Sequence, residues 1–250
     1  MNTQRTRVDV EQYQREGYLV LRGVLPPDAL PPLRDEADRL MALFGRDAER
    51  YPARIEWERN NLLASEQAGM ERVIRKLEPI LDFSPTFAGL AFEEAVSGPA
   101  MDIFHGAVEL FEDKINLKLP GGSRYPWHQD WNCCWRAHTD ELITSFIYLD
   151  HADATNGCLQ VIPGSHLGKP MLPFKEGSKF EIDPAYVDQS KIVPVPLAAG
   201  DMIVFDPYLL HHSDRNTSNT PRRTIIYTYN PARLGKVNEG RFLIDQSGEG

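Results

Sequence analysis

The chain has 250 residues, a net charge of −9 at pH 7, and 42% hydrophobic residues. This is the composition of a globular protein that can bury a sizeable core. The acidic balance argues against nucleic acid as a partner, because nucleic-acid-binding proteins present a basic face. No run approaches the roughly 20 apolar residues that cross a bilayer, so no membrane partner is expected either.

The N-terminus and the cysteines bear on the cellular compartment. Residues 1–17 contain no apolar run like that of a secretory signal. The three cysteines, Cys133, Cys134 and Cys158, form no recognisable disulfide framework. A reducing, cytoplasmic setting is therefore expected.

Helix and strand signals alternate at the start of the chain. Residues 9–16 predict a short helix that begins after Asp9 and ends at Gly17. The run 18–25 is rich in Val and Leu and predicts a strand.

A longer helix is predicted within residues 26–51, where apolar residues recur at helical spacing. Asp28 is the candidate for its N-cap. Residues 50–112 have poor periodicity and predict loops with one or two helices, the clearest at 91–112.

From residue 113 the chain changes to short β-runs separated by Gly, Pro, Asn or Asp. They cover residues 114–119, 143–150, 158–164, 191–197, 201–210 and 222–230. Many short strands without intervening helices favour a closed or double-sheet antiparallel fold. We predict a mainly β protein with flanking helices, a β-barrel or jelly roll. It is expected to be one domain over 1–250, with a helical part at about 1–112 and a β-core at about 113–235.

The segment YPWHQDW (125–131) carries the strongest chemical signal. In an extended strand, residues i and i+2 point to the same face, so His128 and Asp130 could bind one ion. A third ligand must come from elsewhere, and His211 and His212 are the best candidates. Two histidines and one carboxylate leave three metal positions open, which is typical of non-haem Fe(II) oxygenases. A lone His-x-Asp, however, is more often a surface or hydrogen-bonded pair.

Arg222 and Arg223 strengthen this hypothesis, since Arg222 follows His211 by eleven residues. A co-substrate such as 2-oxoglutarate chelates iron at one end, and a planar arginine fork suits the carboxylate at its other end. Strand alternation does not choose between the two arginines, and His212 with Arg223 has the same spacing.

Five segments together resemble the phytanoyl-CoA dioxygenase-like (PhyH) family of Fe(II)/2-oxoglutarate-dependent oxygenases. They are EQYQREGYLVLRGVLPPDAL, WHQDW, NGCLQVIPGSHLGK, GDMIVFDPYLLHHSDRN and PRRTIIYTYNP, which cover most of the chain except roughly 45–110. The resemblance implies a double-stranded β-helix (jelly roll, cupin-like) that carries Fe(II) and uses 2-oxoglutarate and O2.

The resemblance also implies a ligand set. His128 and Asp130 match the first two iron ligands of the family. The family's distal segment reads His, any residue, Ser, and then Asn a few positions on, which His211, Ser213 and Asn216 match. The third metal ligand implied is therefore His211.

The family's co-substrate arginine lies eleven residues after the distal histidine, which selects Arg222. Ser213 and Asn116 fall where some family members contact 2-oxoglutarate. Related halogenases lack the carboxylate ligand, so Asp130 favours hydroxylation, desaturation or ring closure over halogenation.

The implied activity is hydroxylation of a small molecule, with release of succinate and CO2. A specialised-metabolite intermediate, an amino acid or a related acid would serve as substrate. The alternatives are a metal-dependent jelly-roll enzyme that does not use 2-oxoglutarate, an inactive binding protein of the same fold, and a plain β-sandwich. The oligomeric state is not indicated.

The surroundings of the motif give further expectations. Cys134 shares strand parity with Asp130 and so would face the pocket. Loops in 45–110 and 167–190 would select the substrate, because binding residues concentrate on loops. Four cations bracket the motif and could attract an anionic substrate, although a solvated face is the more usual place for such residues: Lys114, Lys118, Arg124 and Arg136.

Overall fold

Residues 7–62, 68–70 and 72–237 are described in the computed structural model. This part of the chain forms four α-helices: α1 (Val10–Glu16), α2 (Leu30–Arg46), α3 (Pro85–Ala91) and α4 (Glu94–Phe104). It also forms eleven strands: β1 (Tyr18–Leu21), β2 (Ile55–Trp57), β3 (Ile74–Leu77), β4 (Val108–Lys118), β5 (Tyr125–His128), β6 (Ile143–Tyr148), β7 (Leu159–Val161), β8 (Val193–Val195), β9 (Met202–Phe205), β10 (His211–Ser213) and β11 (Arg222–Pro231). None of these four helices is long and apolar enough to span a membrane.

The strands form two antiparallel sheets. The larger has the order β1-β9-β6-β11-β4-β3-β2, and the smaller has the order β5-β10-β7-β8. They face each other through an apolar cluster that takes Tyr148 and Phe205 from the larger sheet and Leu159 and Val195 from the smaller. The predicted mainly β jelly roll is confirmed.

The other face of the larger sheet is covered by helices. Residues of β4 and β11 that point this way pack against α2, α3 and α4; they include Ile115, Leu117, Ile225 and Tyr227. The Tyr227 hydroxyl donates to the carbonyl of Phe87 at the start of α3 (2.7 Å). One face of the sheet thus builds the main core, and the other borders the space between the sheets.

The first predicted helix and strand are confirmed. In α1 the Asp9 carboxylate accepts a hydrogen bond from the Gln12 amide (2.9 Å), as an N-cap does. Gly17 ends the helix in the left-handed conformation (φ 83°), which glycine adopts without steric cost. The run 18–25 contributes β1.

The second predicted helix is also present, but Asp28 is not its N-cap. Asp28 lies in a 3₁₀ turn, and α2 begins after Ala29 without a side-chain cap. Its first turn contains Pro31 and Pro32, which have no N–H groups to satisfy, so the need for a cap is smaller.

The helix predicted at 91–112 is shorter than expected. It ends at Phe104, and β4 already begins at Val108. The preceding region also contributes β2 and β3 to the larger sheet, which sequence periodicity did not predict. These strands have three and four residues, too short to show a pattern, and they form by pairing in series with β4.

Candidate metal centre

Three side chains meet where β5 and β10 pair. His128 ends β5 and His211 begins β10, and the two lie directly opposite each other in the antiparallel register. Asp130 Oδ1 lies 3.5 Å from His128 Nε2 and 3.8 Å from His211 Nε2. All three residues are buried, and their ligand atoms lie within 4.8 Å of one another. The structure therefore brings the predicted ligands together.

The local conformation of Asp130 is not the extended strand that was predicted. The strand ends at His128, and Asp130 has helical backbone angles (φ −55°, ψ −44°) before a π-helical turn at Trp131–Trp135. A hydrogen bond from Trp131 N to Pro207 O (3.0 Å) stabilises this turn. The carboxylate reaches the two imidazoles because the backbone turns, rather than because strand residues alternate.

Hydrogen bonds determine which imidazole nitrogen is available to a metal. His128 Nδ1 lies 2.7 Å from Pro126 O, and His211 Nδ1 lies 2.8 Å from Leu209 O. A carbonyl oxygen only accepts, so each Nδ1 carries the proton and each Nε2 keeps a lone pair facing Asp130. Hydrogen bonds of this kind, from the ring nitrogen that does not bind the metal, orient metal-bound histidines.

The charge states also suit a metal. Burial, followed by the neighbouring His128, lowers the pKa of His211 to about 3, so this imidazole is neutral at pH 7. Burial alone would raise the pKa of Asp130, but His211 and His128 hold it below its usual range. Two imidazoles and one carboxylate are a donor set that fits Fe(II).

In each neighbouring pair, His211–His212 and Arg222–Arg223, the two side chains have different contacts. His212 also lines the cavity, but it pairs in register with Gln160 and its ring lies tilted against Trp127 (4.1 Å between centroids), outside the cluster of ligand atoms. Arg223 points to the helix-covered face, where it bonds Asp150 (2.8 Å) and Asp38 (2.7 Å).

Arg222 points into the space between the sheets and is 4% exposed. Its Nη1 donates to Gly157 O (2.5 Å), while its Nε is buried without a hydrogen-bond partner among the described residues. No ion pair of Arg222 with a carboxylate is found in that part of the chain. The guanidinium is therefore available to an anionic ligand.

One cavity of about 440 Å³ contains the three candidate ligands, Arg222 and the two other predicted contacts. The Ser213 hydroxyl accepts a hydrogen bond from Lys118 Nζ (2.7 Å). Asn116 Oδ1 is buried without a partner among the described residues. The same holds for three nearby hydroxyls, those of Tyr125, Tyr148 and Thr224. Buried polar atoms are rarely left unsatisfied, and the three hydroxyls can donate, so they fit a dicarboxylate co-substrate such as 2-oxoglutarate.

Comparison with known proteins identifies the family. Residues 13–224 match the family model described as phytanoyl-CoA dioxygenase (PhyH). The chain belongs to the phytanoyl-CoA dioxygenase family. It is 30% identical over 249 residues to a methylphosphonate hydroxylase from Gimesia maris, covering 96% of this chain and 86% of the relative.

Two further matches agree with this membership. A 2-aminoethylphosphonate dioxygenase from an uncultured bacterium is 25% identical over 240 residues, which is 96% of this chain and 85% of the relative. The crystal structure of EctD from S. alaskensis with 2-oxoglutarate and 5-hydroxyectoine superposes with a TM-score of 0.70 at 22% identity. The superposition covers 92% of this chain and 79% of EctD, and it shows the shared fold.

In this member of the phytanoyl-CoA dioxygenase family, two of the four cations near the motif are not on a solvated face. Lys114 lines the cavity and Lys118 is 2% exposed, so the prediction for these two was wrong. They alternate with Ile115 and Leu117, which face the main core, and this alternation was the available signal. Burial, followed by Arg222 and Arg75, holds the pKa of Lys118 well below its ordinary value.

Both regions predicted to select the substrate line the cavity. Region 45–110 contributes Glu56, Arg75 and Lys76 from strands β2 and β3 rather than from loops, and Asn61 from the turn after β2. Region 167–190 contributes Ser178, Phe180 and Glu181 from a loop. The Phe180 ring stacks on His128 (4.3 Å between centroids), a contact that sequence reasoning missed. Cys134 lines the cavity as predicted, although it does so from the π-helical turn rather than from a strand.

Proposed function

We propose that this protein is an Fe(II)- and 2-oxoglutarate-dependent oxygenase that hydroxylates a small molecule. One observation carries the proposal: two imidazole Nε2 atoms and a buried carboxylate converge in a cavity that also contains an arginine with no carboxylate partner in the described chain. Family membership supports the same reaction class.

The iron ligands in this proposal are His128, Asp130 and His211. When bound, the metal and its co-substrate supply the oxidation by O2 that yields hydroxylated product, succinate and CO2. Pro126 and Leu209 keep the two imidazoles in the tautomer that presents Nε2, through their carbonyl oxygens. The protein thus orients both imidazoles with Nε2 toward Asp130.

The co-substrate contacts in this proposal are Arg222, Ser213 and Asn116. Arg222 pairs with the carboxylate that is remote from the iron, since a charge-assisted arginine fork binds a carboxylate strongly. Lys118 holds the Ser213 hydroxyl by donating to its oxygen, which directs the hydroxyl proton elsewhere. Asn116 offers its side-chain amide from the adjacent strand.

The substrate is proposed to be a small polar molecule. Two relatives are named for methylphosphonate and 2-aminoethylphosphonate, which are small acids. The candidates are an amino acid, a related acid or a specialised-metabolite intermediate. All three cysteines, Cys133, Cys134 and Cys158, are free thiols, which supports the proposal of a reducing cytoplasmic setting.

The test is an anaerobic titration of the apoprotein with Fe(II) and then 2-oxoglutarate, followed by the visible metal-to-ligand charge-transfer band. We expect a band in the wild type, none in His211→Ala, and a retained band in His212→Ala. The two variants remove the same side chain from adjacent positions, so each controls for the other. A folded wild-type protein that binds iron but develops no band would contradict the use of 2-oxoglutarate.

A further inference from the structure

The cavity-facing side of β4 is unusual for a strand inside a sheet. Glu112, Lys114, Asn116 and Lys118 alternate along it, between β3 and β11. Interior strands normally carry apolar side chains, and charged residues are seldom buried unless they have partners. The row therefore needs polar partners, and Asn116 Oδ1 has none among the described residues.

The cavity has cations at two levels, Arg222 on β11 and Lys114 on β4. Lys118 lies opposite Arg222 in the register, and Lys114 lies opposite Ile226, four residues further along β11. Four residues of strand span about 13 Å. Both Arg222 and Lys114 line the same cavity, so it contains two separated cationic positions.

Lys114 has spare hydrogen-bonding capacity. Its side chain is 15% exposed, and Nζ donates to Glu112 Oε2 (2.7 Å). An ammonium group has three donors, and no second hydrogen bond of Nζ is found within the described residues. Burial alone would lower the pKa of Lys114, but Glu112, Glu78 and the candidate ligand Asp130 raise it above its ordinary value, so the side chain stays charged.

The carboxylates that line the cavity beside the candidate ligands are already matched by cations of the chain. Glu56 contacts Arg75 (3.0 Å) and Lys76 (3.3 Å). Glu181 contacts Arg124 (3.0 Å) and Lys175 (3.2 Å). The remaining hydrogen-bond donors of Lys114 Nζ are thus not occupied by these carboxylates, and an anionic ligand can accept from them.

We propose that Lys114 receives an acidic group of the substrate, a carboxylate or a phosphonate. The inference rests on the proposed function, because Arg222 is taken to bind 2-oxoglutarate and Lys114 is then left for a second anion. The cavity of about 440 Å³ is near the lower end of small-molecule sites and must hold both molecules. The substrate is accordingly a small free acid.

The experiment uses enzyme loaded with Fe(II) and 2-oxoglutarate and measures succinate released above the substrate-free rate. The panel contains small carboxylic and phosphonic acids, including methylphosphonate and 2-aminoethylphosphonate, each beside its neutral amide or ester. We expect the active members to be acids, with their neutral counterparts inactive.

Three variants test whether Lys114 binds the acidic group of the substrate. Lys114→Met removes the cation that Glu112 contacts and can unfold the protein, so the double variant Glu112→Gln/Lys114→Met neutralises both members of this ion pair. We expect KM for the acid to rise at least about 30-fold in the double variant, as for loss of one partner of a buried charge pair. Lys114→Arg keeps the charge and should recover part of the affinity.

Titration of the charge-transfer band distinguishes failure of the Lys114 proposal from failure of the proposed use of 2-oxoglutarate. We expect the double variant to keep the wild-type midpoint for 2-oxoglutarate, because Lys114 lies remote from Arg222 along the strand. A wild-type KM in the double variant, equal turnover of neutral compounds, or no active acid would overturn the role of Lys114. Absence of the band in the wild type would instead contradict the use of 2-oxoglutarate.

Discussion

The two faces of the β4–β11 strand pair have opposite chemistry, although both belong to the same two strands. Toward the helices, Ile115, Leu117 and Ile225 belong to the main apolar cluster. Toward the cavity, Lys114 and Arg222 bring charges under the smaller sheet. Since successive strand side chains alternate, one pair of strands serves stability on one face and ligand binding on the other.

This division has an energetic consequence. Apolar burial on the helix-facing side is favourable by roughly 25 cal/mol for each Å² removed from water. Buried cations on the cavity side have a desolvation cost that a ligand or a counter-charge must offset. Changes on the cavity face should therefore alter ligand binding, whereas changes on the helix face should alter the free energy of unfolding.

The largest expected effect comes from Arg222→Met. Removing the cation should weaken 2-oxoglutarate binding by at least about 30-fold, because the co-substrate carboxylate would be buried unpaired. The free energy of unfolding should be unchanged or higher, since a desolvated cation is removed. Titration of the charge-transfer band measures the affinity, and Arg223→Met is the matched control with expected wild-type affinity. Equal losses in both variants would contradict the division between the faces.

The second effect is a loss of stability in Ile225→Ala, a change on the helix-facing side of β11. Loss of a fully buried Ile side chain should lower the free energy of unfolding by about 2–5 kcal/mol. Urea denaturation of the apoprotein measures this change. The adjacent Thr224→Val is the control, because it keeps the side-chain volume and removes a buried hydroxyl without a partner in the described residues. If Thr224→Val lowered the free energy of unfolding as much as Ile225→Ala, the two faces would contribute equally to stability and the proposed division would be wrong.

The smallest of these effects is expected from Arg223→Met in the unfolding experiment. Arg223 bonds Asp150 through Nε (2.8 Å) and Nη2 (2.9 Å), but its other partner, Asp38, is 55% exposed. Solvent screening reduces the contribution of that second pair, so we expect a loss of about 1–3 kcal/mol. A larger loss than that of Ile225→Ala would reverse the expected order.

The sequence predicted most of the β-core and the grouping of the candidate ligands. Strands with strong alternation or long β-rich runs, such as β6, β9 and β11, were found at the expected places. The predicted neighbours His128 and His211 lie opposite each other in the register. Short strands were missed, because the three residues of β2 carry too little pattern to be recognised.

Two of the three errors share one physical origin. Asp130 was expected in a strand but lies in a turn that hydrogen-bonds to Pro207, and Lys114 was expected in solvent but lies under the smaller sheet. Asp28 lost its expected capping role because the prolines of α2 reduce the need for it. In the first two cases, contacts with residues distant in the sequence outweighed the local pattern.

The sequence by itself determined the longer β-runs, the residue types available for a metal and the alternation that separates Arg222 from Arg223. These are local properties, since side-chain direction and turn formation depend on a few neighbouring residues. Only the tertiary structure decided which arginine enters the cavity, because the helices that cover one face of β11 come from residues 30–104, far away in the chain. The same long-range packing buried Lys114 and Lys118, since a strand position becomes interior only when a second sheet lies over it.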